Sequence, residues 1–248
     1  SKNTIAYILL IFTTLFWSGN FLVGKAASLF DIPPFTLNFY RWLCAWLILA
    51  PFTLSEIFQK RNYILENIKL ITILGITSIT IFNSIVYYSL NFTQVISGVL
   101  MISTIPVMII FFCWIFRIEK TNLYQISGVI FSLFGVAVII TKADLGILLN
   151  LDFNKGDLWM VAAMFSWAIY SALLRKKKFE LSHIAFLQTI ITTGLIFLLP
   201  AYLLEIMLGH KLNMHIPFVL TLGYVVLFPG LASFFFWIKG ISIIGSNR

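Results

Sequence analysis

Residues 70–116 carry no charged side chain, and this run constrains the fold more than any other feature of the chain. As a single helix rising about 1.5 Å per residue it would reach about 70 Å, twice the hydrocarbon thickness of a bilayer. It must therefore fold back once. The polar patch Asn91-Phe92-Thr93-Gln94 is the place for the turn, giving one span near 70–90 and another near 94–116. Other intervals nearly free of charge lie at 3–24, at about 35–55 with Arg41 alone inside it, and at 121–141, 158–174, 181–204 and 212–238. Eight spans are expected, with 144–154 an interfacial piece or loop between the fifth and sixth. Lipid offers no partner to an unpaired backbone group, and these runs lack the alternation of barrel strands, so each span is helical. The expected fold class is all-α, a polytopic membrane helix bundle whose first partner is the lipid bilayer.

Composition agrees: 60% of residues are hydrophobic and only 10% charged, whereas soluble domains hold about 25% charged residues. Cys44 and Cys113 both fall inside apolar runs, which argues against a disulfide framework or a metal site. The first apolar run is too long for a signal-peptide core and is expected to remain as a helix. The net charge of +8 is explained by the placement of the basic residues. With the N-terminus inside, twelve Lys and Arg fall in inside segments and four (Lys25, Lys142, Lys155, Lys211) in outside ones. That bias sets both ends of the chain in the cytoplasm. It also removes the nucleic-acid reading, since no inside loop offers a folded basic surface interleaved with aromatics.

A second pattern crosses the spans. Phe16–Lys25 reads FWSGNFLVGK and Ser166–Arg175 reads SWAIYSALLR, pairing Trp17 with Trp167 and Lys25 with Arg175 at an offset of 150. Pro51 with Pro200, Ser84 with Ser233 and Tyr88 with Trp237 follow at 149. A near-constant offset is what an internal duplication leaves. An offset of this length contains five spans, an odd number, so the halves are expected to enter the membrane in opposite senses, as in many secondary transporters. Residues 1–142 would form the first half. Residues 156–248 would hold three of the five helices of the second, because Arg248 falls opposite Val99. Eight helices are thus expected here out of ten.

The chain resembles the EamA-type transporters of the drug/metabolite transporter superfamily. The resemblance is carried by FWSGNFLVGKAA (Phe16–Ala27), PPFTLNFYRWLCA (Pro33–Ala45), YYSLNFTQVISGVLMISTIPV (Tyr87–Val107), EKTNLYQISGVIFSLFGVAVI (Glu119–Ile139), GDLWMVAAMFSWAIYSALLRK (Gly156–Lys176) and FFFWIKGISIIGSNR (Phe234–Arg248). It implies ten helices in two inverted five-helix repeats, with helices four and nine helping to line a central cavity. It further implies a transporter of small organic metabolites, amino acids or related solutes, in the inner (cytoplasmic) cell membrane, working by alternating access. The small multidrug pumps of the wider superfamily carry a Glu in their first helix. No acidic residue sits mid-span here, which fits a uniporter or exchanger better than a carboxylate-driven proton antiporter.

Candidate substrate-binding residues follow from helix faces. Trp17, Asn20 and Gly24 share one face of the first span, and Trp167, Tyr170 and Leu174 one face of the sixth. These faces are expected to meet between the halves and offer rings and an amide to a substrate; the plainer reading is helix packing with an interfacial Trp belt. Ser84 and Tyr88, with Asn83 beside them, and Ser233 with Trp237 are the matching candidates of the third and eighth spans, against the alternative of hydrogen bonds between helices. Arg41 is either a cavity residue that draws in a carboxylate-bearing solute, with Lys25 on the same outer side, or an interfacial anchor. Gly128, Ser132 and Gly135 form a small-residue stripe suited to helix contact within the chain or in a homodimer. Pro106 and Pro229 fall mid-span and are expected to break or kink their helices.

His183, His210 and His215 lie near span ends and have no partner at metal or triad spacing, and no phosphate loop or nucleophile elbow occurs. No enzyme activity, cofactor or metal is expected, and a small-molecule substrate is. The alternatives are a membrane scaffold that binds partner helices and a nucleotide-sugar-type carrier. The latter would need more basic cavity residues than Arg41.

Overall fold

A computed structural model of the chain describes residues 2–102, 104–118, 154–210 and 214–244, together with 124, 126–128, 130, 131, 134, 135 and 138. Every regular element among the described residues is helical. Nine helices are described: α1 (Lys2–Leu29), α2 (Pro34–Gln59), the short α3 (Arg61–Glu66), α4 (Ile68–Gly75, carried through a π turn at Ile76–Phe82 into Asn83–Ser89), α5 (Val95–Ile102), α6 (Ile105–Ile115), α7 (Lys155–Arg175), α8 (His183–Met207) and α9 (Ile216–Val225, a π turn at Val226–Ala232, then Ser233–Ile244). Six of these, α1, α2, α4, α7, α8 and α9, are long and apolar enough to cross a membrane. The protein is thus a polytopic helical membrane protein.

One of the eight expected spans is interrupted, and another lies almost wholly outside the described residues. The span near 94–116 is present as two short helices, α5 and α6, with the break at Thr104 and Pro106 in the first turn of α6. Proline has no N–H to give the preceding turn, so the interruption falls where its sequence position requires. The fifth span and the segment 144–154 lie outside the described residues, apart from nine scattered positions and Asn154. Within them Gly128 and Gly135 have open space around them, and Ser132 is not described.

The turn at 91–94 is as expected. Helix α4 ends at Ser89, whose carbonyl accepts from Phe92 N at 2.9 Å and Thr93 N at 3.0 Å. Lys25 closes the same end: its Nζ donates to Leu90 O at 2.7 Å and Thr93 O at 3.0 Å. A cation on the unpaired carbonyls of a helix C-terminus is favourably placed. Lys25 thus ties the end of α1 to the turn that follows α4.

The long helices pack chiefly as α1 against α9, α7 against α4, and α8 against both α2 and α4. Helices α2 and α8 run antiparallel, and each caps the other. Glu205, at the end of α8, accepts from Phe35 N (3.1 Å), Thr36 N (2.6 Å) and Thr36 Oγ1 (2.8 Å) at the start of α2. Glu56, at the end of α2, accepts from Ser182 N (2.6 Å) and Ser182 Oγ at the start of α8. A carboxylate on the free N–H groups of a helix N-terminus satisfies them and opposes the helix dipole. Helices α4 and α8 cross at Gly75 and Gly194. A methyl at Gly75 would lie 2.7 Å from Ile190 O, and one at Gly194 would lie 3.0 Å from Gly75 O. Around this crossing Trp42, Ile71, Leu74, Ile79, Ile190 and Ile191 make the principal core.

The π turns fall 150 residues apart, at 76–82 and 226–232. Backbone loosened in lipid needs other partners. In α4 three successive carbonyls find them in side chains: Thr77 O accepts from Ser166 Oγ (2.7 Å), Ser78 O from Asn83 Nδ2 (2.8 Å) and Ile79 O from Asn38 Nδ2 (2.9 Å). In α9 the π turn contains Pro229, in keeping with the irregularity expected there.

Candidate functional site

Helix α2 begins at the Pro33-Pro34 pair and carries Asn38, Arg41 and Trp42 inward, all fully or almost fully buried. Arg41 is 2% exposed, so it is not an interfacial anchor. Its Nη1 donates to Tyr87 OH at 2.6 Å, Asn83 Oδ1 at 2.9 Å and Asn20 Oδ1 at 3.4 Å. Tyr87 OH in turn donates to Asn20 Oδ1 at 2.9 Å. The guanidinium carbon stands 4.8 Å from the Trp42 ring centre and 5.9 Å from that of Tyr87. One turn back, Asn38 Nδ2 donates to Ser84 Oγ at 2.8 Å as well as to Ile79 O.

This polar centre joins α1, α2 and α4 and lies beside the π turns of α4 and α9. A methyl on Gly230 would come 3.9 Å from Arg41 Nε, so the π turn of α9 presents backbone to that side of the guanidinium. The acceptors that meet Arg41 among the described residues are two amide oxygens and a phenol, none of them a carboxylate. Five buried side-chain polar atoms lack a hydrogen-bond partner among the described residues: Asn38 Oδ1, Arg41 Nε, Trp42 Nε1, Gln188 Oε1 and Ser233 Oγ. Buried polar groups are as a rule paired, and three of these exceptions, on Asn38, Arg41 and Trp42, belong to side chains of the centre.

Rings continue from it. Trp42 meets Phe234 edge-on at 5.9 Å, and Phe234 lies 6.4 Å from Trp17. Trp17 meets Trp167 at 6.3 Å and Trp237 at 5.5 Å. Trp167 touches Tyr170 at 5.0 Å and Phe82 at 4.6 Å. A groove of about 660 Å³ opens between α2, α8 and α9, walled by Leu49, Leu187, Leu227 and Leu231, with His183 and Lys239 also lining it.

The expected site residues therefore divide. Trp17, Trp167, Tyr170 and Trp237 form one ring cluster. Asn20, Arg41 and Asn83 form the polar centre, and Ser84 supports it through Asn38. Ser233 is buried beside the π turn of α9, its carbonyl accepting from Thr13 Oγ1 at 3.4 Å. Tyr88 does not belong with them: its ring meets Phe92 and Trp159 at 5.2 and 5.8 Å. Tyr87, Asn38 and Trp42 belong to the centre although the sequence reading omits them. Asn38, one turn before a lone mid-span arginine, and the Asn83/Tyr87 pair at i, i+4 are the signals that point to them. Among the described residues no three His, Cys, Asp or Glu side chains converge as a metal ion requires.

Comparison with known proteins places the chain. The profile of the EamA-like transporter family matches residues 4–141 and 154–248, so the chain belongs to that family of transporters. Among curated relatives it is 27% identical over 206 residues to an uncharacterized transporter of Archaeoglobus fulgidus, covering 82% of this chain and 68% of that protein. It is 22% identical over 247 residues to the uncharacterized transporter YyaM of Bacillus subtilis, covering 100% of this chain and 81% of the relative. YoaV of the same organism, also described as an uncharacterized transporter, is 25% identical over 71% of this chain and 58% of its own. No solved structure matches.

Proposed function

We propose that this membrane transporter carries small organic metabolites, amino acids or related solutes, by alternating access between two inverted halves, with the Arg41 centre and the ring cluster as the substrate site. The observation that carries the reading is the buried guanidinium beside two π turns 150 residues apart. Broken helix geometry in a membrane interior is retained where it lines a path or site, and buried ionisable groups in spans mark such paths.

The inverted-repeat part of the proposal draws support from the packing. At an offset near 150, α1 corresponds to α7, α2 to α8 and α4 to α9. The α1–α9 pair then exchanges with α7–α4, and the α2–α8 pair maps onto itself. Glu56 and Glu205, offset by 149, cap reciprocal helix starts in the same way. The basic-residue bias supports a cytoplasmic N-terminus in the inner cell membrane.

The test is exchange in liposomes. The purified protein is reconstituted, preloaded with an unlabelled mixture of amino acids, amines, carboxylates and nucleosides, and exposed to each labelled solute in turn. Accumulation of at least one solute above protein-free liposomes is expected. No accumulation of any, with a control transporter active in the same lipid, would sink the proposal.

A further inference from the structure

We propose that the side of Arg41 facing α9 receives the carboxylate of a small solute with an apolar body, with Trp42 Nε1 and Ser233 Oγ as further donors. This rests on the transporter reading and narrows its substrate class.

The two sides of the guanidinium are unequal. Toward α1 and α4, Nη1 meets three acceptors, from Asn20, Asn83 and Tyr87. Toward α9, Nε meets none among the described residues. The π turns fix the register between these helices at 150, which pairs Asn83 with Ser233 and Tyr87 with Trp237. Where α4 supplies an amide oxygen and a phenol, α9 supplies a hydroxyl without a partner and an indole ring. Gly230, one turn before Ser233, keeps side-chain atoms out of the space beside Nε.

Trp42 completes the set. Its ring lies against the guanidinium on one side and meets Phe234, the neighbour of Ser233, on the other, and its Nε1 is buried and unpartnered. Arg41 Nε, Trp42 Nε1 and Ser233 Oγ are thus three donors without a partner among the described residues, with the Trp42 ring against the guanidinium and Ser233 one turn beyond Gly230. The acceptors left over belong to Asn38 and Gln188, whose Nδ2 and Nε2 are held by Ser84 and Trp46 O. Ionised carboxylate offers acceptors only and a full negative charge, and meets such a donor set far better than an amine or a neutral amide. A buried cation with no counter-charge is retained only where something offsets it. A groove between α2, α8 and α9 opens beside the same π turn, its wall including Leu227, Leu231 and Ala232, and Lys239 also lines it. Its apolar lining and the adjoining rings favour a solute whose remainder is apolar.

The test measures equilibrium binding to the purified full-length protein by calorimetry. The probes are phenylacetate, 4-methylpentanoate and glutarate, each beside its neutral amide. At least one acid is expected to bind at least ten-fold more tightly than its amide. Arg41→Gln should remove that preference. Trp42→Phe and Ser233→Ala, which keep the packing, should each weaken the acid several-fold and leave the amide unchanged. No preference for any acid, or acid binding unchanged in both conservative variants, would overturn the proposal. Amines or nucleosides exchanged in liposomes without any acid preference would likewise overturn it and leave the transporter reading standing. Acid preference lost in the variants, with no solute moved in liposomes, would keep the carboxylate site and remove the transporter reading.

Discussion

At the scale of single residues, the polar centre is held by hydrogen bonds to a charge in a dry interior, and such bonds are worth about 1.5–3 kcal/mol each. Tyr87→Phe removes the phenol that accepts from Arg41 and donates to Asn20. It should lower stability by about 1.5–3 kcal/mol. Tyr88→Phe keeps the ring contacts with Phe92 and Trp159 and should stay within about 0.5 kcal/mol. Denaturation of the two variants in the same detergent compares them; equal losses would mean that the centre is misplaced. These adjacent tyrosines also show what the sequence hides. Offset 149, taken from Ser84 and Tyr88, pairs Tyr88 with Trp237, whereas the π turns run at 150 and pair Tyr87 with it. One residue of register is 100° of helix face, which sends the side chain to another neighbour. Trp17 and Trp167, matched at 150, are legible from sequence and do meet.

At the scale of elements, close crossings and caps decide stability. Gly194→Ala places a methyl 2.5 Å from Ile79 Cβ and 3.0 Å from Gly75 O. The crossing must open, at a cost of about 1–3 kcal/mol. Gly128→Ala meets nothing within 4 Å and should be neutral or stabilising by about 0.5–1 kcal/mol, the helix propensity gained. Thermal unfolding of both variants reads the contrast. Glu205→Ala leaves the start of α2 without its acceptor and should cost about 1–3 kcal/mol, seen as faster amide exchange at residues 35 and 36. Unchanged exchange there would refute the cap. Helix existence is legible in the apolar runs, because lipid forces every backbone group into a helix. The π turns are not, since no residue type announces them; in α4 they depend on Ser166 and Asn38 from other helices.

At the scale of the whole molecule, the expected topology is open to labelling. With Cys44 and Cys113 replaced by Ala, Asp31→Cys in the connection between α1 and α2 should react with an impermeant maleimide on intact cells. Lys177→Cys, between α7 and α8, should react only after permeabilisation. The reverse pattern would invert the assigned orientation. The pairing of α1 with α9 and of α7 with α4 is not part of the sequence expectation, and the α5/α6 break shortens one span in a way that hydropathy alone does not show. The reciprocal glutamates have a mechanical consequence. Tied at both ends, α2 and α8 form a strut with a fastening at each end of the pair. A motion that parts the pair at one end must break the cap there while the other cap still holds the far end, so the two helices resist separation as a unit.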